Sequence, residues 1–179
     1  MRLQCIGLHL GSKFIYGRYR KDIQRGKGGP DGWQGNTHYD GIHIFGKNAD
    51  DTSRIREAVQ LLEQTCPIYY SRARKHLHII VVMDLTGLGS TYNGYMVFRR
   101  RTVVDESLRQ LAARIVVWST IATFVSKGMI YDSKSARGKR VSLLALWKGY
   151  TALSMLGASA ELMELVRSRI EAIRVADTE

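Results

Sequence analysis

Residues 105–128 read DESLRQLAARIVVWSTIATFVSKG. Leu108, Leu111, Ala112, Ile115 and Val116 recur at i, i+3, i+4, i+7 and i+8, the apolar stripe of an α-helix. Asp105 or Ser107 supplies an N-cap oxygen, and Gly128 offers a left-handed residue to end the helix. From Ile115 to Val125 the run is apolar almost all round, broken only by Ser119, Thr120 and Thr123. A helix apolar on every side is a buried one. The run, bounded by Arg114 and Lys127, falls short of the roughly 20 residues that span a bilayer. The stretch therefore predicts a core helix and no membrane span. Leu111, Ile115 and Ile121 or Ala122 should face inward, with Trp118 largely buried.

Upstream, Asp51 to Cys66 repeats the helical pattern, with Ile55, Ala58, Val59 and Leu62 on one face, acids at its start and Pro67 as its stop. The Ile79-Ile80-Val81-Val82 run within His76 to Met83 predicts a buried central strand. Gly41 to Phe45, Leu3 to Leu10 and Phe14 to Tyr19 read as further short strands. Lys21 to Tyr39, with five glycines and a proline, reads as a long Gly-rich loop. Gly87 to Gly94 is rich in turn residues. After it, Tyr95 to Phe98 and Thr102 to Val104 are expected to pair, with Arg99, Arg100 and Arg101 at the bend. Downstream, a basic loop leads into a helix from about Val141 to Leu156, ended by Gly157; Ser159 caps a last helix to about Val175. Strands and one helix come first and helices afterwards, which predicts an α+β fold: a small mixed or antiparallel sheet packed by three to four helices.

The 179 residues fit one domain, 1–179. The net charge of +11 points to an anionic partner: nucleic acid, an acidic protein face or an anionic membrane surface. Cys5 and Cys66 are the only cysteines, and no CxxC occurs, which suits a reducing, cytoplasmic setting rather than a disulfide framework. Met1 to Leu10 lacks the apolar core and cleavage site of a signal peptide.

No intact catalytic motif appears. GxxxxGK[ST] and GxSxG are absent, and Gly87-Leu88-Gly89 has Tyr92 where a dinucleotide fingerprint needs its third glycine. No pair of acids has the spacing of a two-carboxylate site. The histidines are His9, His38, His43, His76 and His78. His76 and His78 lie two apart on the His76 to Met83 strand, so their side chains share a face, and His43 on another strand could neighbour them; the three are weak metal candidates. No cofactor is expected.

From Tyr39 to Leu165 the layout resembles a family of small zincin-like metallopeptidases. DGIHIFG, SRIREAVQLLEQTCPIYY, HLHIIVVMD, NGYMVFRRRTVV, LAARIVVWSTIATFVSKG and ALSMLGAS follow one another as strand, helix with a proline turn, strand, hairpin, helix and later helix. The resemblance implies a zinc site on the fifth of these segments. Its two histidines would fall on Val117 and Ile121, its general base on Trp118, and a third ligand near Ser142 or Leu144. None of Val117, Trp118 and Ile121 binds zinc or moves a proton. The resemblance thus implies a degenerate member that has lost HExxH.

Three functions follow as expectations. The first is a non-catalytic interaction module with a protein partner. The second is a basic nucleic-acid-binding protein using Arg99, Arg100, Arg101, Lys134, Arg137, Lys139 and Arg140, with the Lys21 to Lys27 loop. The third, weaker, is a metal enzyme using the histidines.

Overall fold

The computed structural model describes residues 35–84, 91–92, 94–129, 131–132 and 135–175. The strands expected at Leu3 to Leu10 and Phe14 to Tyr19 lie outside them. The Asp40-Gly41 pair, at φ 43° and 86°, folds β1 (Gly35–Tyr39) back on β2 (Ile42–Gly46). Two successive positive φ angles are what a tight hairpin turn requires, and Asp-Gly supplies them at least cost. The part of the expected Gly-rich loop that is described, residues 35–39, is therefore not loop. Residues 35–39 are held instead as a strand by antiparallel pairing from Gly35↔Gly46 to Tyr39↔Ile42.

Two helices connect β2 to the next strand. α1 (Ala49–Thr65) buries Ile55, Ala58, Val59 and Leu62, the face expected. Pro67 does stop it, but also occupies the first position of a second helix, α2 (Pro67–His76), where its missing N–H costs nothing. Cys66 joins the two: its N–H donates to Leu62 O, and its carbonyl accepts from Tyr69 and Tyr70. The α2 helix is absent from the sequence reading. It also corrects the histidine geometry, because His76 ends α2 and only Ile79–Met83 form strand β3.

The sheet is mixed, with strand order β1-β2-β3-β5-β4, where β4 is Thr91–Tyr92 and β5 is Tyr95–Arg99. β2, β3 and β5 run parallel; β1 and β4 flank them antiparallel. Ile42, Ile44, Ile80, Val82, Met96 and Phe98 point to the face that meets the helices. The opposite face carries a second buried cluster of Phe45, Ile79, Val81, Tyr95 and Val97. A strand buried on both faces explains the unbroken Ile79–Val82 run.

The strand expected at Thr102 to Val104 is instead a short helix, α3 (Arg100–Asp105), and β5 pairs with β4 through Tyr92↔Tyr95. Helix is favoured here because both ends are tied down. Arg100 Nε donates to Asp51 Oδ2 at 2.8 Å, and Arg54 donates to the carbonyls of Val103 and Glu106 at 3.0 and 2.8 Å. Val103 is buried beneath.

Ser107 then opens α4 (Leu108–Val125) with a reciprocal capping box to Gln110. Leu111, Ala112, Ile115 and Val116 are buried. α4 is the one described helix long and apolar enough to cross a bilayer, with mean hydropathy 1.2 over 18 residues, and half of that window is buried within the fold. Burial, rather than insufficient length, marks it as a core helix. α5 (Ala136–Met155) starts five residues earlier than expected, capped by Ser135 Oγ, which accepts from Gly138 N–H. α6 (Ala160–Val175) follows a turn at Gly157. The fold is α+β, and the described residues form four helices of 16 residues or more and the short α2 and α3 besides.

Candidate functional site

α4 and α5 pack antiparallel: Val141 near the start of α5 meets Ile121 and Met129, while Gly149 meets Ala113 and Val117. Gly149 sets the spacing, since a Cβ there would lie 2.5 Å from Val117 Cγ2. α6 folds back over α5 and buries Ile170 completely. α4 and α6 therefore stand as two walls over a floor of α5. Between them opens a groove of about 330 Å³. Val117, Trp118 and Ile121 line it from α4, Leu146 and Leu153 from α5, and Leu162, Leu165 and Val166 from α6. Leu165 is 58 % exposed.

Polar groups sit at the margin. Arg114 holds both carboxylate oxygens of Glu106 in a bidentate pair. Tyr131 OH bonds Ser142 Oγ, which itself donates to Gly138 O at 2.9 Å. With the serine proton committed, Tyr131 is the donor of that pair. Arg169 adds an exposed cation on α6. Among the residues lining the groove there is no imidazole or thiol, and its one carboxylate is already paired. The surface suits apolar contact with a charged rim rather than proton transfer.

Trp118 keeps only a minor part of its surface exposed, in line with the burial expected. It touches the core on one side and the groove on the other. Leu111, Ile115, Ile121 and Ala122 are buried as anticipated.

The basic residues do not converge. Arg100 is bound to Asp51, whose residue is 4 % exposed, and Arg101 pairs with Asp105. Arg99 closes β5 opposite Met83. Arg137, Lys139 and Arg140 lie in the opening turns of α5, where Arg137 and Arg140 are exposed. The two groups stand at opposite ends of α4, an axial length of roughly 27 Å at 1.5 Å per residue. Lys134 and the Lys21 to Lys27 loop lie outside the described residues.

The described histidines do not gather into one cluster. His43 faces His38 across the β1–β2 hairpin, ring centroids 4.8 Å apart, and stacks on Phe45. Burial, helped by His38, holds its pKa below the usual histidine value. His76 Nδ1 meets Ser126 Oγ at 3.3 Å, and burial lowers its pKa too. His78 packs on Gly94, where a Cβ would come within 2.8 Å of its ring. Among the described residues no three of His, Cys, Asp and Glu gather in a metal-binding group.

A second depression, of about 640 Å³, lies over the start of α1 and is lined by Asp50, Asp51, Arg54 and Arg100. Its arginines are already committed to Asp51 and to the end of α3, so it reads as a structural junction. No family model, curated protein or solved structure matches the chain.

Proposed function

We propose that this chain is a non-catalytic interaction module on a degenerate zincin-like scaffold, and that its groove between α4, α5 and α6 receives an acidic protein partner. One observation carries the reading. Val117, Trp118 and Ile121, the three α4 positions at which the resemblance sets zinc-site residues, line this one groove together with Ser142, one of the two places, with Leu144, near which it sets a third ligand; Leu144 does not line it. A cleft keeping its shape while its ligands are replaced by apolar side chains is suited to binding without turnover. The element order supports the scaffold in part: strand, helices, strand, α4 and α5 follow the resemblance, whereas its hairpin segment is strand β5 followed by helix α3. The net charge of +11 and the rim cation Arg169 favour an acidic face over a neutral or basic one. A reducing cytoplasmic setting accords with the buried free thiol of Cys66.

The purified chain is tested for bound zinc by elemental analysis and for turnover of fluorogenic peptides. A photo-crosslinking residue at position 165 then reports what occupies the groove. The expected result is no zinc held by α4, no turnover, and a cross-link to an acidic protein whose purified form binds the wild type but not Leu165→Asp. Zinc that is lost on altering an α4 residue, or peptide turnover, overturns the reading.

A further inference from the structure

Three helices each aim a seam of residues three or four apart at the groove. On α4 it is Gln110, Ala113, Val117 and Ile121. On α5 it is Ser142, Leu146, Gly149 and Leu153. On α6 it is Leu162, Leu165 and Arg169. Such a seam is the surface one helix presents to another, because 3.6 residues per turn returns side chains to one face at those steps. Within the chain, α4 and α6 share α5 as a neighbour but leave the space between their own seams open. Three walls of a helical bundle are built, and no fourth helix among the described residues fills the remaining position.

We infer that the groove takes a helix: an acidic amphipathic segment of a partner protein, about three turns long, docked between α4 and α6. This rests on the interaction reading above and adds its mode. The length follows from the α4 seam, whose span from Gln110 to Ile121 rises roughly 16 Å at 1.5 Å per residue. The apolar face follows from Val117, Leu146 and Leu165, which offer hydrophobic contact at the centre. The acidic flank follows from Arg169 at the rim and from the +11 charge of the chain. The same charge disfavours a second copy of this chain as the occupant, because two such copies repel.

The probe is a blocked 15-residue peptide with leucines at i, i+3, i+4 and i+7 and glutamates on the flanks. One control replaces every glutamate by lysine; another scrambles the order so that the leucines no longer share a face. Binding is read by fluorescence anisotropy, and induced helix by far-ultraviolet circular dichroism. The glutamate peptide should bind and gain helix, with both controls at least about tenfold weaker. Leu165→Asp should weaken it by at least about tenfold, the equivalent of losing one buried leucine. Because Leu165 is mostly exposed, that variant should keep its fold, which the dichroism of the protein alone verifies. Arg169→Glu should narrow the preference for glutamate over lysine flanks.

Equal binding of the three peptides, or no effect of Leu165→Asp, overturns the helix mode. So does sedimentation showing a homodimer that Leu165→Asp dissolves, since a second copy would then fill the groove. An acidic folded protein that cross-links at position 165 while the peptides fail also overturns the helix mode, yet leaves the interaction reading standing. Zinc or turnover overturns the interaction reading whatever the peptides do.

Discussion

Replacing Gly149 by alanine tests the helix contact on which the groove is built. The added Cβ would sit 2.5 Å from Val117 Cγ2 and 3.4 Å from Ala113 O. Carbon atoms prefer a separation of about 3.5–4.0 Å, so roughly an ångström must be found. Val117 is β-branched and held near one χ1 value in a helix; turning it off that rotamer costs about 0.5–1.5 kcal/mol. Moving α5 away from α4 is the other route, and overpacking of this kind costs about 1–3 kcal/mol. Against either stands the helix propensity gained on replacing glycine, about 1 kcal/mol. The clash wins, and Gly149→Ala should destabilise the fold by on the order of 1 kcal/mol. In a Val117→Ala background the clashing Cγ2 is gone. There Gly149→Ala should stabilise by up to about 1 kcal/mol, a coupling of about 2 kcal/mol across the cycle. Urea denaturation followed by circular dichroism measures all four variants, with the slope on denaturant expected to stay constant. The same sign of effect in both backgrounds would refute the claim that Gly149 and Val117 set the α4–α5 spacing.

Arg100→Ala should cost about 1–3 kcal/mol, because it removes a charged donor from the buried Asp51 carboxylate. Arg101→Ala should cost no more than about 0.5 kcal/mol, since its side chain is 91 % exposed and its i,i+4 pair with Asp105 is solvated; equal costs would mean that the Asp51 pair does not anchor α3. Burial pushes the Tyr95 phenol up to about 12. A raised folded value gives stability that is whole below the unfolded value near 10 and lost as pH rises toward 12, so melting temperature should fall across that window. Tyr95→Phe should flatten the fall, and an unchanged slope would remove Tyr95 as its source. If Arg137, Lys139 and Arg140 contact phosphates, changing all three to alanine should reduce the salt slope of DNA or RNA binding; no binding by the wild type at ~50 mM salt would end the nucleic-acid alternative.

Much of the fold is written in local patterns. The buried faces of α1 and α4, the two-sided burial of β3 and the glycine stops at Gly128 and Gly157 follow from periodicity and turn chemistry. The misses have local causes. Asp40-Gly41 is a hairpin signal in plain view, but the glycines before it suggested a loop running through to Tyr39. Pro67 was legible as a stop and equally as a first helical residue; Tyr69, Tyr70 and Ala73, buried at helical spacing after it, decide between them. Thr102 to Val104 has strand-forming side chains, yet becomes helix because Arg54 and Arg100 secure its ends from residues about 50 positions away. No local pattern carries such contacts.

The groove was hidden for a different reason. The apolar run of α4 predicts burial on every side. The fold buries Ile115 and Val116 fully, yet leaves part of Val117 and Trp118 open to the groove, and α6 turns Leu165 outward. Periodicity reports how much apolar surface a helix carries; it does not report whether its own chain has enough elements to cover it. Where three helices each keep an apolar seam and no fourth described helix meets them, the excess is grouped on one side of the molecule rather than scattered singly. Scattered apolar side chains need no explanation, whereas a grouped and concave set is the form in which a binding surface is recognised. Val117, Trp118 and Ile121 form part of such a set, an apolar concave surface that gains by being covered.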